Sequence, residues 1–487
     1  MTPKTAAKKT AERAAPAVPY FNFRRLSGGR VLLSNDSGAF IELSGGEFSL
    51  YSSGRLKPGA LRSELEAKGF VRDMMDFDGL ASAASRRNSF LNSGPGLHIL
   101  VMTLRCNHKC LYCQSSAVGA DGGRETDMSR KVARRSVDFA LQSPAQGITI
   151  EFQGGEPLLN WDTLSDTVLY ARAAAKKKKK EVSLALVSNF SLMTEAKAKF
   201  LLENEVSICT SLDGPAALHN ANRVYACGNS HASTGRWLEY FSGKAARQSP
   251  DYKVFRPSAL LTVTRASLGQ GKKIVDEYVR LGLEDVFLRP LAPIGFARKL
   301  WPKIGYTPAE FSAFYRSTLE YILKLNAAGT RMRERNAMIL LAKMLNGADP
   351  GFLDLRCPCG AAIGQVAYNY NGDLYTCDEG RMVGWEGNDL FKAGNVLKDS
   401  YRDVILSPAA RACAAASTLD SQPQCSRCAY KPYCGVCPVY NYETQGSLWG
   451  DMASSGRCSL YLDLFDTLAE LLKKPASAAI LKGWVAK

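Results

Sequence analysis

No stretch of this 487-residue chain approaches the roughly 18–20 consecutive apolar residues that a membrane-spanning helix needs. Met1 is followed by Thr-Pro-Lys-Thr-Ala-Ala-Lys-Lys, which is not the apolar core of a secretory signal. The Ala-rich, basic opening also lacks the amphipathic Arg/Ser pattern of a transit peptide, so a solvated tail and a soluble, cytoplasmic protein are expected. Acidic residues are in deficit: 46 Asp and Glu against 62 Lys and Arg leave a net charge of +16. That balance favours an acidic partner, nucleic acid or peptide, without choosing between them. Internal repeats are missing apart from an alternation of strand-like and helix-like segments. The one sharp charge run, Lys176 to Lys180, closes a helical stretch, where lysines suit the negative end of the helix dipole.

Cysteine is abundant, at 14 residues. In a long chain without a signal peptide, clustered cysteines point to metal or cluster ligation rather than disulfides. The length suits two or three domains. Residues 1–18 read as a disordered basic tail. Over 19–93, VLLSNDSGAFIEL (Val31 to Leu43) gives two short strands around an Asn-Asp-Ser-Gly turn, followed by a helix from Pro58 to Lys68, a compact βααα or winged-helix-like unit. Over 94–348, strand-like runs at Leu97–Leu104, Gly147–Phe152, Val182–Asn189, Val206–Asp213, Ser258–Thr264 and Asp285–Leu291 alternate with helical patterns. Apolar strands separated by helices predict an α/β fold, a parallel sheet covered on both faces. Six such units favour a partial (β/α)6 TIM-like barrel, with function on the loops after the strands. Residues 349–465 are cysteine-dense and turn-rich and read as a separate domain, and 466–487 as a C-terminal helix and tail.

The first strand runs directly into Cys106-x3-Cys110-x2-Cys113. Three thiolates on one short loop suit three irons of a 4Fe-4S cluster, with the fourth iron left open for a ligand. Structural zinc usually has four protein ligands, so zinc here requires His108 or a remote residue; His108 is expected to face solvent. This loop, with Tyr112 before the third cysteine, resembles the signature of the radical S-adenosylmethionine (SAM) superfamily. The resemblance implies that the open iron binds S-adenosyl-L-methionine and that its reductive cleavage gives a 5′-deoxyadenosyl radical. Gly154-Gly155-Glu156-Pro157, one βα unit later, is similar to the family's motif for the SAM amino group. Ser188, Asn189, Ser211 and Asp213 end the third and fourth strands, where the family contacts ribose and carboxylate, and Arg223 in HNANR suits a carboxylate. Cys209 reads as buried packing, and Cys227 and Cys413 are unassigned.

Eight cysteines follow: Cys357, Cys359, Cys377, Cys425, Cys428, Cys434, Cys437 and Cys458. Their spacing resembles the SPASM extension of radical SAM peptide-modifying enzymes, although only Gly435 and Val436 separate the last close pair where the family often has three residues. The resemblance implies two auxiliary 4Fe-4S clusters, one on Cys357, Cys359, Cys377 and Cys437 and the other on Cys425, Cys428, Cys434 and Cys458. Asp378, directly after Cys377, matches the proton-accepting Asp of sulfatase-maturating members. FNFRRL, SNDSGAFIEL, LRCNHKCLYCQSS, LRPLAPIGFA and YTCDEGRM together resemble the radical SAM maturases of the His-Xaa-Ser peptide system. That implies modification of a ribosomally made precursor peptide whose leader is held by the N-terminal unit as an added strand. It further implies an electron donor such as flavodoxin or ferredoxin and a second radical SAM protein, with no membrane or nucleic-acid partner. The competing readings are an anaerobic sulfatase-maturating (formylglycine-generating) enzyme and a basic zinc protein that binds nucleic acid. The latter leaves the open triad unexplained.

Overall fold

The computed structural model of the chain describes residues 18–115, 117–243 and 257–486. The basic tail expected over 1–18 therefore lies, through residue 17, outside the described residues. Two compact units are present. One runs to Arg86 and takes in Arg427–Pro432, and the other comprises Arg87–Ser426 and the chain from Tyr433 onward.

The first unit is built on an antiparallel sheet of β1 (Asn22–Arg25), β2 (Arg30–Ser34) and β3 (Phe40–Ser44), in that order. β2 and β3 pair around the Asn-Asp-Ser-Gly turn with Val31 opposite Leu43 and Leu33 opposite Ile41. These four side chains are buried against Tyr51, Leu65 and Phe70, which makes one face of the sheet a core. Helix α1 (Gly45–Ser52) starts on a capping box: the Glu47 amide donates to Ser44 Oγ, and the Ser44 amide donates to the Glu47 carboxylate at 2.7 Å. Helix α2 (Ala60–Ala67) ends just before Gly69, whose φ of 73° suits a residue without a Cβ. β1 escapes a pattern search because it is four residues long and carries one large apolar side chain, Phe23.

The second unit is organised by a nine-stranded sheet. Its strands β4 (Leu97–Thr103), β5 (Gly147–Gly154), β6 (Glu181–Val187), β7 (Val206–Ser211), β8 (Ser258–Thr262) and β9 (Leu288–Arg289) are parallel and adjacent in chain order. These six consecutive units are the partial (β/α)6 arrangement that the alternation predicts. β4 is buried in six of its seven residues, as a central parallel strand covered on both sides requires. On the other side of β4 lies β10 (Gln365–Tyr368), again parallel, and then β11 (Asp373–Tyr375) and β12 (Lys392–Asn395), each antiparallel to the strand before it. The cysteine-rich stretch thus continues the sheet of the βα array. Cys359, Cys377 and Cys437 are thereby packed in one core with Ile99 of β4, although hundreds of residues separate them from it in sequence. Among the described residues no helix is long and apolar enough to cross a membrane.

Candidate active site

Four strand ends build the site, at the carboxyl edge of the sheet, where parallel α/β folds place their ligands. β4 delivers the first cysteine loop. Two short ladders fix that loop: Arg105–Cys106 pairs with Val118–Gly119, and Lys109–Cys110 pairs with Arg223–Val224, with Arg223 opposite Cys110. Arg105 is further anchored by a bidentate pair to Asp127, at 2.9 and 2.7 Å. The segment LRPLAPIGFA closes the other side. The Phe296 amide donates to the Cys113 carbonyl at 2.9 Å, and Gln114 Nε2 donates to the Ala292 carbonyl.

β5 ends in Gly154 and Gly155, and the reason for both glycines is steric. A Cβ on Gly154 would lie 2.2 Å from the Thr103 carbonyl oxygen, and one on Gly155 would lie 2.2 Å from that of Arg105. The Gly155 and Glu156 amides donate to those same two carbonyls, both at 2.8 Å. The glycines thus let β5 close onto the strand that carries Cys106. Gly155→Ala is expected to push that backbone apart, to cost about 1–3 kcal/mol and to lower iron loading at Cys106. Thermal unfolding and iron counting on the variant check this, and wild-type iron at wild-type stability would contradict it.

Glu156 is fully buried and faces inward. Its carboxylate accepts from the Ser188 hydroxyl at 2.9 Å, the Asn189 amide at 2.8 Å and the Leu158 amide at 3.0 Å. It therefore ties the end of β6 to the end of β5, and Pro157 opens the short turn behind it. Burial raises its pKa, and the three hydrogen bonds oppose that shift.

Asp213, after β7, is also fully buried. It accepts the hydrogen bond of the Tyr112 hydroxyl, shared between its two oxygens at 2.6 and 2.9 Å, and lies 3.3 Å from Arg223 Nε. The Arg223 guanidinium stands 5.2 Å from the Tyr112 ring centroid. Tyr112, Asp213 and Arg223 thus form one buried unit that holds the cysteine loop from beneath. Burial pushes the neighbouring Cys110 thiol up to about 12, against the pull of Arg223.

His108 corrects the expectation of a solvent-facing residue. It is buried, stacks on Tyr225 with ring centroids 4.5 Å apart, and shares a 2.9 Å hydrogen bond with Ser230 Oγ. Burial and then Arg223 hold its pKa down to about 4, so the ring is neutral at neutral pH. Its other nitrogen lies 2.9 Å from Asn189 Nδ2, which places Asn189 over the cysteine loop.

Cys106, Cys110 and Cys113 open into a cavity of about 180 Å³. Tyr112, Gly154, Gly155, Ser188, Asn189, Ser211 and Arg223 line it with them, whereas Glu156, Pro157 and Asp213 support it from behind. Three sulfur donors on one loop, facing exposed backbone, two hydroxyls and an amide, fit a cluster with one open iron and a small polar ligand. Among the described residues no three His, Cys, Asp or Glu side chains gather closely enough to hold a single metal ion; the ligands of a cluster each bind a separate iron.

Helix α3 (Asp378–Trp385) joins the cavity to the C-terminal cysteines. Met382 reaches the cavity, and buried Arg381 donates to Asp378 at 2.7 Å and to Ser115 at 3.3 Å. Asp378 itself does not line the cavity. Glu151 in β5 is raised to about 7 by burial and then by Asp378. Nothing in sequence spacing pointed to Arg381, Met382 or Glu151, because their roles depend on contacts across the sheet.

Of the eight C-terminal cysteines, Cys359, Cys377 and Cys437 share one buried core. Cys377 and Cys437 occupy helix N-caps, where their sulfurs accept from the amides of Gly380 and Tyr440 at 3.2 and 3.4 Å. Burial pushes both thiols up, Cys437 to about 12 against the pull of the Tyr440 amide. Cys357, expected with them, lies apart: it packs with Cys425 and Cys458 against Leu419, Val436 and Met452. The Cys434 thiol donates to the Gly435 carbonyl, and Cys428 belongs to the Arg427–Pro432 segment of the first unit. Cys209, expected to be buried, is half-buried in β7, and Cys227 is exposed.

Residues 100–226 match the model of the Radical SAM superfamily. The matched residues, which carry the cysteine loop, are a radical SAM domain, and enzymes with this domain use a 4Fe-4S cluster and SAM. Its relatives are more particular. The chain is 25% identical over 283 residues to a cysteine-type anaerobic sulfatase-maturating enzyme of Clostridium perfringens, covering 57% of this chain and 74% of that protein. The structure of native anSMEcpe with bound AdoMet aligns with a TM-score of 0.65 at 20% identity, over 79% of this chain and 100% of that one. Streptococcus suis SuiB bound to precursor peptide SuiA aligns with a TM-score of 0.51 at 15% identity, over 88% of this chain and 97% of that one.

Proposed function

We propose that the chain is a cytoplasmic peptide maturase that modifies a ribosomally made precursor peptide of the His-Xaa-Ser repeat type. In this reading Cys106, Cys110 and Cys113 hold the SAM-cleaving cluster. Gly154, Gly155, Ser188, Asn189, Ser211 and Arg223 receive SAM, and Tyr112, Glu156, Pro157 and Asp213 keep those groups in place. When bound, cluster and SAM would supply the chemistry of hydrogen-atom abstraction from the peptide. Asp378 accepts a proton from the substrate. The C-terminal cysteines hold two auxiliary clusters, electrons come from a flavodoxin- or ferredoxin-like donor, and a second radical SAM protein works alongside.

The observation that carries the peptide reading is the three-stranded antiparallel sheet of the first unit. β1 and β3 are its edges, and an extended leader adds to such an edge by main-chain hydrogen bonds. Phe23 on β1 is 46% exposed, an apolar contact for such a strand. The test is anaerobic incubation of the reconstituted enzyme with SAM, dithionite and a His-Xaa-Ser precursor. A mass change in the core peptide, matched by 5′-deoxyadenosine and lost when the leader is removed, is expected. An unmodified peptide in the presence of SAM cleavage would refute the substrate assignment.

The likeness to sulfatase-maturating enzymes and the position of Asp378 favour a second reading, oxidation of a Cys or Ser to formylglycine. The same assay with a sulfatase-derived Cys peptide separates the two: formylglycine there, with no change in the His-Xaa-Ser peptide, selects the second.

A further inference from the structure

A fully protein-ligated 4Fe-4S cluster needs four thiolates. Cys359, Cys377 and Cys437 make three, gathered in one core. The fourth thiol in that core is Cys413, which is 1% exposed. It sits on helix α4 (Pro408–Ser417), which no cysteine motif includes. Its sulfur lies 3.8 Å from Thr376 Oγ1, the residue directly before Cys377. One turn on, Ser417 Oγ accepts from the Cys359 amide at 2.9 Å and donates to the Cys413 carbonyl at 2.6 Å. Two hydrogen bonds therefore pin the Cys413 turn to the segments that carry Cys359 and Cys377.

Cys357 is held elsewhere. Its sulfur accepts from the Leu419 amide at 3.3 Å, beyond the end of α4, and its side chain joins Cys425 and Cys458 in a separate apolar cluster. Pro358 lies between Cys357 and Cys359, and the two sulfurs serve different cores. A buried cysteine is often only a small apolar side chain. Here, however, it completes a set of three thiols that otherwise lacks a fourth.

We infer that Cys413, and not Cys357, is the fourth ligand of the auxiliary cluster on Cys359, Cys377 and Cys437. Cys357 is then not a ligand of that cluster. This rests on the proposed reading that the C-terminal cysteines hold two auxiliary clusters.

The experiment uses the full chain with Cys106, Cys110 and Cys113 all changed to Ala, reconstituted anaerobically with iron and sulfide. Two auxiliary clusters give this parent about eight irons. Adding Cys413→Ala is expected to bring the count to about four, or to leave a three-iron cluster visible by EPR. Adding Cys357→Ala is expected to leave about eight. Cys413→Ser, with an oxygen donor in place, is expected to keep the irons with a shifted EPR spectrum while circular dichroism matches the parent. That result separates ligation from misfolding. Full iron and an unchanged spectrum in both Cys413 variants, or lost iron in Cys357→Ala, overturns the assignment. A parent with no iron removes the auxiliary clusters themselves, and this assignment with them.

Discussion

Cys110→Ala is expected to abolish 5′-deoxyadenosine formation and to lower the iron content from about twelve to about eight per chain, four irons for each cluster lost. The loop should survive the change. What pins residue 110 is a backbone ladder to Arg223, together with the Leu111 amide donating to the Asn222 carbonyl, and neither uses the thiol. The variant therefore removes a ligand without removing the scaffold. Two thiolates cannot replace three on one cluster face, and without the open iron SAM has no site at which to be cleaved. Iron analysis and a SAM-cleavage assay with dithionite read the two effects separately. Unchanged 5′-deoxyadenosine would remove the triad from the chemistry.

Asp213→Ala is expected to be the most damaging change that touches no cysteine. The Asp213 carboxylate is fully buried and holds the Tyr112 hydroxyl, Arg223 and, at 3.4 Å, the Thr262 amide. Its removal leaves the Arg223 charge buried without its partner, which costs about 3–5 kcal/mol. Arg223 lies opposite Cys110 in the ladder, so the disturbance reaches the cluster loop directly. Chemical denaturation under anaerobic, reducing conditions should show the loss, with reduced iron at the triad. The double variant Asp213→Ala/Arg223→Ala should cost less than the two single changes combined, because the second removes the charge that the first strands. A loss below about 1 kcal/mol in Asp213→Ala would mean that the buried pair does not hold the loop, since breaking such a pair is normally far more costly.

Much of the core was legible in the sequence. β4 to β8 appear as apolar or alternating runs because a strand covered by helices must be apolar on the covered faces. The triad was legible because its ligands lie within eight residues, and the Asn-Asp-Ser-Gly turn because its neighbours pair locally. The expectation for His108 failed for the opposite reason: Tyr225 and Ser230, which bury it, lie more than a hundred residues away. The steric need for Gly154 and Gly155 was hidden in the same way, since the clashing carbonyls belong to Thr103 and Arg105.

By itself, the sequence determined the chemistry on offer: a three-thiolate loop after the first of six βα units, eight further cysteines and the strands that present them. Local spacing governs these features, and spacing is written in the chain. Only the tertiary structure decided which cysteines share a core. It parted Cys357 from Cys359 across a single proline and brought Cys413 to Cys377 from another helix. It also turned Glu156 inward to brace β6, and joined β10 to β4 so that Cys359, Cys377 and Cys437 pack in one core with Ile99 of β4. The physical reason is that ligand sets and buried hydrogen bonds are satisfied in space, among groups hundreds of residues apart, and spacing along the chain does not encode that proximity.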